Sequence, residues 1–144
     1  MSYVKIWVHC VWCTKNRTPD LTREVLAALL DHIRKNAKDK GLYIDIVNGY
    51  MEHIHCIILL RPDQTLARVV QLIKGESSFW INMKRLTRTR FEWGGEYYGA
   101  SFGESDLNRV RLYIMNQKSH HSKKTWNEEC NEMSEQYGFE KIQE

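Results

Sequence analysis

The chain has 144 residues, 42% of them hydrophobic, a net charge of +3 and an isoelectric point near 8.7. This is one domain's length, apolar enough for a real core and too apolar for disorder. No apolar run nears the ~20 residues of a membrane helix, and MSYVKIWVHCVWCTKNR has neither the basic start nor the cleavage site of a secretory signal. The expectation is therefore a cytoplasmic chain in which Cys10, Cys13, Cys56 and Cys130 are free thiols.

Residues 3–13 alternate and are rich in Val, Ile, Trp and Tyr, which predicts a strand. TPDLTREV then opens a helix with Asp20 or Thr22 as N-cap. Its apolar stripe is Leu21, Val25, Leu26, Leu29, Leu30 and Ile33, and Gly41 suits its end. Residues 42–50 and 53–61 read as two more strands, with Asn48-Gly49 marking a turn or bulge between them. A second helix runs from about Thr65 to about Lys84 on Leu66, Val69, Val70, Ile73 and Trp80. Gly75 interrupts it, which predicts a close contact there.

FEWGGEYYGASFG (91–103) reads as a glycine- and aromatic-rich loop leading into a short strand. Ser105 can cap a third helix reaching about His121, with Leu107, Val110 and Ile114 on its buried side. A last amphipathic segment spans about Thr125 to Tyr137. The order β-α-β-β-α-β followed by helices predicts an α+β, ferredoxin-like antiparallel sheet (the split βαβ). Helices should cover one face, with a further helix toward the C-terminus. The whole of residues 1–144 then forms a single domain: sheet and two helices over about 3–103, the last helix and tail over about 105–144.

MEHIHCIILL (51–60) carries the chemistry. On a strand, residues i and i+2 share a face, so His53 and His55 stand side by side. Two neutral imidazoles there are half of a metal site or a hydrogen-bonded structural pair, and burying them without partners is costly. At ~100° per residue, Tyr113, Gln117, His120 and Lys124 form one stripe beside the buried line of the third helix. Gln117 could complete a site of nitrogen and oxygen donors with His53 and His55, which suits Mg2+ or Mn2+. Tyr113 taken alone reads first as a half-buried helix aromatic. Cys10 and Cys13, at odd spacing on a strand, point to opposite faces, so no zinc is expected there.

H-I-H inside a strand followed by Y-x-x-x-Q on a helix resembles the single-tyrosine HUH transposases, more narrowly the insertion-sequence 200/605 type acting on single-stranded DNA. HCVWCTKNR resembles that family's opening strand and GYMEHIHCIILLRP its histidine strand. LIKGESSFWIN, WGGEYYGASFGES and YIMNQKSHHSKKTWNEE resemble its later segments, so the likeness covers about residues 3–130. Glu52 departs from it, because relatives usually carry Asp there. The loop at 91–96 fits only loosely.

The resemblance implies a metal-dependent single-strand endonuclease and strand transferase. Tyr113 would be the nucleophile that forms a 5′-phosphotyrosine link, and His53, His55 and Gln117 would hold the metal. Lys118, His120 or a water would move the phenol proton. Lys84, Arg85, Arg88, Arg90, Lys123 and Lys124 would meet phosphates, and Trp93, Tyr97 and Tyr98 would stack on bases. Phe102 is expected in the core.

The implied partners are single-stranded DNA with hairpins at element ends and a second copy of the chain. The resulting nucleoid-associated homodimer would share its active sites, histidines from one subunit and tyrosine from the other. No nucleotide cofactor is expected, consistent with the lack of a G-x-x-x-x-G-K-[ST] loop. The alternatives are a domesticated relative acting on chromosomal repeated palindromes and a non-catalytic single-stranded nucleic-acid-binding module. A histidine-triad hydrolase needs a further alternating histidine, and position 57 is Ile.

Overall fold

A computed structural model of the chain describes residues 2–118 and 125–138. Four strands, β1 (Ile6–Cys13), β2 (Tyr43–Tyr50), β3 (His53–Leu60) and β4 (Tyr98–Phe102), form one sheet in the order β2-β3-β1-β4. Every neighbouring pair is antiparallel. Among the described residues, the α-helices seen from end to end are α1 (Arg23–Asp39), α2 (Leu66–Lys84), α3 (Leu107–Met115) and α4 (Trp126–Tyr137). This is the expected ferredoxin-like α+β arrangement. None of the described helices is long and apolar enough to cross a membrane.

Three helices start on a threonine whose hydroxyl accepts a backbone N–H: Thr22 from Val25, Thr65 from Arg68 and Thr125 from Glu128. Of the two expected caps for α1, Thr22 is the one used. Leu21 precedes it and packs in the same cluster as Leu26, a pairing that fixes how the chain enters the helix. Gly41 follows the end of α1 at φ +71°, where a side chain would be strained.

The strands' alternation sorts residues between two covered faces. Val8, Cys10 and Trp12 of β1 and Ile54, Cys56 and Ile58 of β3 pack with α1 and α2. On the other face, Trp7 and Ile57 meet Leu107, Val110 and Ile114 of α3, while Val11 meets Trp126 and Met133 of α4. Because β3 is central and covered on both sides, it reads as a continuous apolar run, and its histidines lie inside the molecule.

Three local expectations are corrected. Asn48 and Gly49 lie within β2, and the reversal falls at Met51 and Glu52. Gly49 serves close approach: a Cβ there would sit 2.4 Å from the His53 carbonyl oxygen and 2.8 Å from Ile54 Cδ1. Gly75 has no such contact, since a Cβ placed there would meet nothing within 4 Å. It forms part of the wall of a groove of about 830 Å³ between α2 and residues 90–97. The third helix starts after a 3-10 turn at Glu104–Asp106, not at Ser105, and is interrupted after Met115; helical geometry resumes at residues 117–118, and His121 lies outside the described residues. At the break Asn116 leaves the helix, its N–H bonded to the Leu112 carbonyl at 3.1 Å.

Candidate active site

His53 and His55 project from the start of β3 toward α3 and α4, and neither has solvent exposure. The start of the strand is pinned on both sides. Cys13 of β1 pairs with His53, and the Thr14 N–H donates to the Glu52 carbonyl at 2.8 Å. The glycine at 49 lets β2 pass close against it.

The helix carrying Tyr113 is fastened to its own chain's sheet. Arg111 Nε and Nη2 donate to the two carboxylate oxygens of Asp45 on β2 at 2.7 and 2.6 Å. Asn48 Nδ2, also on β2, donates to the carbonyls of Ile114 at 2.8 Å and Met115 at 3.2 Å, filling the acceptors left open at a helix end. The burial of Leu107, Val110 and Ile114 then turns the neighbouring Tyr113 toward the histidines, its ring centroid 5.6 Å from that of His55.

Just past the helix, Gln117 is fully buried. Its Nε2 donates to the Tyr113 carbonyl at 3.3 Å, and its Oε1 lies 3.0 Å from His53 Nε2. One chain thus brings Tyr113, His53, His55 and Gln117 together.

Glu129 of α4 was not anticipated. It is 2% exposed and faces both imidazoles, with Oε1 3.1 Å from His55 Nε2 and Oε2 3.8 Å from His53 Nε2. Tyr113 Oη donates to the same carboxylate. One donor atom each from His53, His55 and Glu129 fall within 4.8 Å of one another, a grouping able to hold a metal ion.

Burial by itself would raise the Glu129 carboxyl. Hydrogen bonds from His55 and Tyr113 and the nearby imidazoles outweigh it and hold the carboxyl at about 2. The Tyr113 phenol is pushed up, first by burial and then by its bond to the Glu129 carboxylate. Trp126, at the start of α4, lies flat on His53 with centroids 3.9 Å apart.

Two further partners sit behind the imidazoles. Glu52 Oε1 is 2.9 Å from His53 Nδ1, which gives that residue a definite place. His9 of β1 is 2% exposed, and its Nε2 is 2.9 Å from His55 Nδ1. Burial and then the neighbouring His55 lower His9 to about 3, so it is neutral at ordinary pH. Strand parity puts His9 on the face of His55, and only the pairing of β1 with β3 reveals that the two are neighbours. Glu129 left no comparable signal in a polar helical stretch.

The nucleic-acid candidates are more dispersed. Lys84 ends α2, Arg85 follows it in the left-handed region at φ 53°, and these two with Arg88 and Arg90 are exposed. Trp93 and Tyr97 line the groove beside α2. Trp93 also packs edge-on against Trp12 and Phe91 and donates to Ser77 Oγ at 3.0 Å. Tyr98 belongs to the cluster of Val11 and Trp126, and Phe102 to that of Trp7 and Ile57. Lys118 is exposed, whereas His120, Lys123 and Lys124 lie outside the described residues. Cys10 and Cys13 occupy different clusters on opposite faces.

Comparison with known proteins places these features in a family. Residues 2–117 match the family described as transposase, IS200 like. The ISDra2 transposase TnpA of Deinococcus radiodurans is 26% identical over 114 residues, covering 76% of this chain and 81% of that protein. Two solved structures share the fold. A crystal structure of a candidate transposase from Deinococcus radiodurans R1 superposes with a TM-score of 0.65 at 24% identity, covering 81% of this chain and 95% of that one. A REP-associated tyrosine transposase bound to a REP hairpin superposes at 0.60 with 22% identity, covering 84% of this chain and 72% of that one.

Proposed function

The chain belongs to the IS200-like transposase family, and from that premise we propose that it cleaves and rejoins single-stranded DNA, with Tyr113 as nucleophile. The observation that carries this reading is the meeting of Tyr113 with His53, His55, Gln117 and Glu129 in one buried cluster. Tyr113 keeps partial exposure where the histidines have none, so the strand approaches from its side.

The bond formed joins Tyr113 Oη to the scissile phosphorus, and the bond broken is the one to the 3′ oxygen. A 5′-phosphotyrosine and a free 3′-OH result, and the 3′-OH of another strand reverses the step. The phosphodiester energy stays in the tyrosine link, and no nucleotide is consumed. Helical placement of the phenol supplies the orientation that a weak nucleophile needs.

The donor set fits a hard divalent ion, Mg2+ or Mn2+. His53, His55 and Glu129 would hold it, with Gln117 beside His53 as a further oxygen donor. The nearest thiols are unsuited to compete: burial pushes Cys13 up to about 12 and Cys130 up to about 11. When bound, such an ion stabilises charge on the phosphoryl oxygens as a Lewis acid. DNA with hairpins at element ends is the proposed substrate, with the exposed cations from Lys84 to Arg90 meeting its phosphates. Chromosomal repeated palindromes are a second reading. The sequence flanking the gene separates the two, because imperfect palindromes just inside both element ends favour mobility.

The resemblance implies a homodimer in which each tyrosine serves the partner's histidines. The ties from Asp45 and Asn48 to α3 favour a tyrosine that serves its own chain. A mixed dimer of Tyr113→Phe with His53→Ala separates these. Shared sites restore cleavage in half of them, and own-chain sites restore none.

The chemistry is tested by incubating the protein with Mn2+ and a labelled single-stranded hairpin end, then resolving covalent adducts on a denaturing gel. The adduct is expected from the wild type and lost in Tyr113→Phe. His53→Ala and His55→Ala should lose cleavage and retain most DNA affinity. An adduct that persists in Tyr113→Phe rejects the assignment of the nucleophile.

A further inference from the structure

Each histidine of the cluster has two ring nitrogens with different tasks. Nε2 of both faces Glu129, and Nδ1 of both points outward. His53 Nδ1 is held by the Glu52 carboxylate at 2.9 Å. His55 Nδ1 is held by a longer chain: His9 Nε2 at 2.9 Å, then from His9 Nδ1 to Tyr137 Oη of α4 at 3.0 Å. The rings of His9 and His55 are stacked with centroids 5.2 Å apart, and the Tyr137 ring stands edge-on to His9 at 5.7 Å. Both ring nitrogens of His9 are thus engaged away from Gln117 and Glu129.

We propose that His9 is the positioning residue of the metal site. It fixes His55 in the tautomer that carries its proton on Nδ1 and offers the Nε2 lone pair to the ion, and Tyr137 anchors it from behind. The inference rests on the metal-site reading above.

Proton accounting gives the chain a direction. A neutral imidazole has one N–H and one acceptor nitrogen. For His55 to ligate through Nε2, its N–H must be on Nδ1 and donate to His9 Nε2. The single N–H of His9 is then on Nδ1 and donates to Tyr137 Oη. The hydroxyl closes the series because it can accept there and donate outward. In the opposite direction, Tyr137 donates to His9, His9 donates to His55 Nδ1, and the His55 proton sits on Nε2 facing Glu129. That state cannot ligate. Outer partners of this kind commonly change metal affinity about 10–100-fold when removed.

The two outer partners are unequal in origin. Glu52 is adjacent to His53 in sequence, so one strand end supplies both. His9 and Tyr137 come from β1 and α4, so the orientation of His55 depends on the sheet register and on where the C-terminal helix docks.

The test is direct Mn2+ binding, followed by the electron paramagnetic resonance signal of the free ion, with no DNA present. His9→Phe should bind Mn2+ about 10–100-fold more weakly than wild type. His9→Gln places an amide oxygen where it can accept from His55 Nδ1 and an amide N–H₂ that can donate to Tyr137. It should stay within about threefold of wild type, a rescue that a purely steric role would not produce.

Nitrogen-15 spectra with the diamagnetic Mg2+ bound should show His55 protonated on Nδ1 in the wild type. That measurement stands even if His9→Phe does not fold. Unchanged Mn2+ affinity in His9→Phe, equal weakening in His9→Gln, or an Nε2-protonated His55 in the Mg2+ form each overturns the proposal. A wild type that binds no Mn2+ overturns the metal-site reading, and the role of His9 with it. Wild-type binding that is abolished in His55→Ala but unchanged in His9→Phe rejects only the role of His9.

Discussion

Asn48→Ala tests whether the tyrosine helix is held on its own sheet. The side chain donates to the Ile114 and Met115 carbonyls at 2.8 and 3.2 Å, at the break where α3 ends. Removing one donor shared between these two carbonyls costs about 1–1.5 kcal/mol. The undocked fraction of α3 should rise about 5- to 12-fold, since each kcal/mol is about a factor of five. Asn48→Asp should do more, because a carboxylate cannot donate and faces the negative end of the helix.

Hydrogen exchange of amides 107–115 reads the undocking, and single-turnover cleavage of a hairpin substrate reads its consequence. If Tyr113 serves its own chain, exchange accelerates and cleavage stays level or falls. If the helix must leave its sheet to serve a partner, cleavage rises by the same roughly 5- to 12-fold factor, and the own-chain site is refuted. Unchanged exchange in both variants refutes the anchoring itself.

Gly49→Ala should lower stability by about 1–3 kcal/mol in urea unfolding, because its Cβ would lie 2.4 Å from the His53 carbonyl oxygen and neither backbone can yield cheaply. Gly75→Ala should raise stability by about 1 kcal/mol in the same assay, since it sits inside α2 with nothing within 4 Å of its Cβ position. Glu129 makes the chain acid-sensitive. Its carboxyl falls from 4.5 to about 2 on folding, so about 3 kcal/mol is fully present above pH ~4.5 and is lost as pH falls toward ~2. In chelator, Glu129→Gln should flatten that part of the stability profile, and an unchanged acid slope would reject the assignment.

Legibility in the sequence followed the range of each physical signal. Strand parity and helix period act over a few residues. They sufficed to pair His53 with His55, to set Tyr113 beside the buried line of Leu107, Val110 and Ile114, and to point to the fold class. The break in the helix at Asn116 was not legible because the apolar period does not register it, and past that break Gln117 reaches both the Tyr113 carbonyl and His53. Gly49 and Gly75 look alike as interruptions, but their roles depend on whether another backbone lies opposite. Glu52 was visible, though its task depended on a side-chain rotamer. His9 and His55 are 46 residues apart, and only the β1–β3 register makes them neighbours.

Three other parts of the cluster that were hard to read share one source. Trp126, Glu129 and Tyr137 all lie on α4, beyond the stretch of residues 2–117 that matches the family. The sheet and α3 supply the phenol, the imidazoles and the carboxamide. The α4 helix supplies the aromatic cover over His53, the carboxylate between the imidazoles, and the hydroxyl behind His9. Residues of one 12-residue amphipathic helix thus reach three separate points of the site. This is possible because Trp126 and Met133 dock the helix on Val11, in the same face of the sheet. A change at that apolar seam would move all three groups together, so its effect on the cluster would exceed the loss of any single contact.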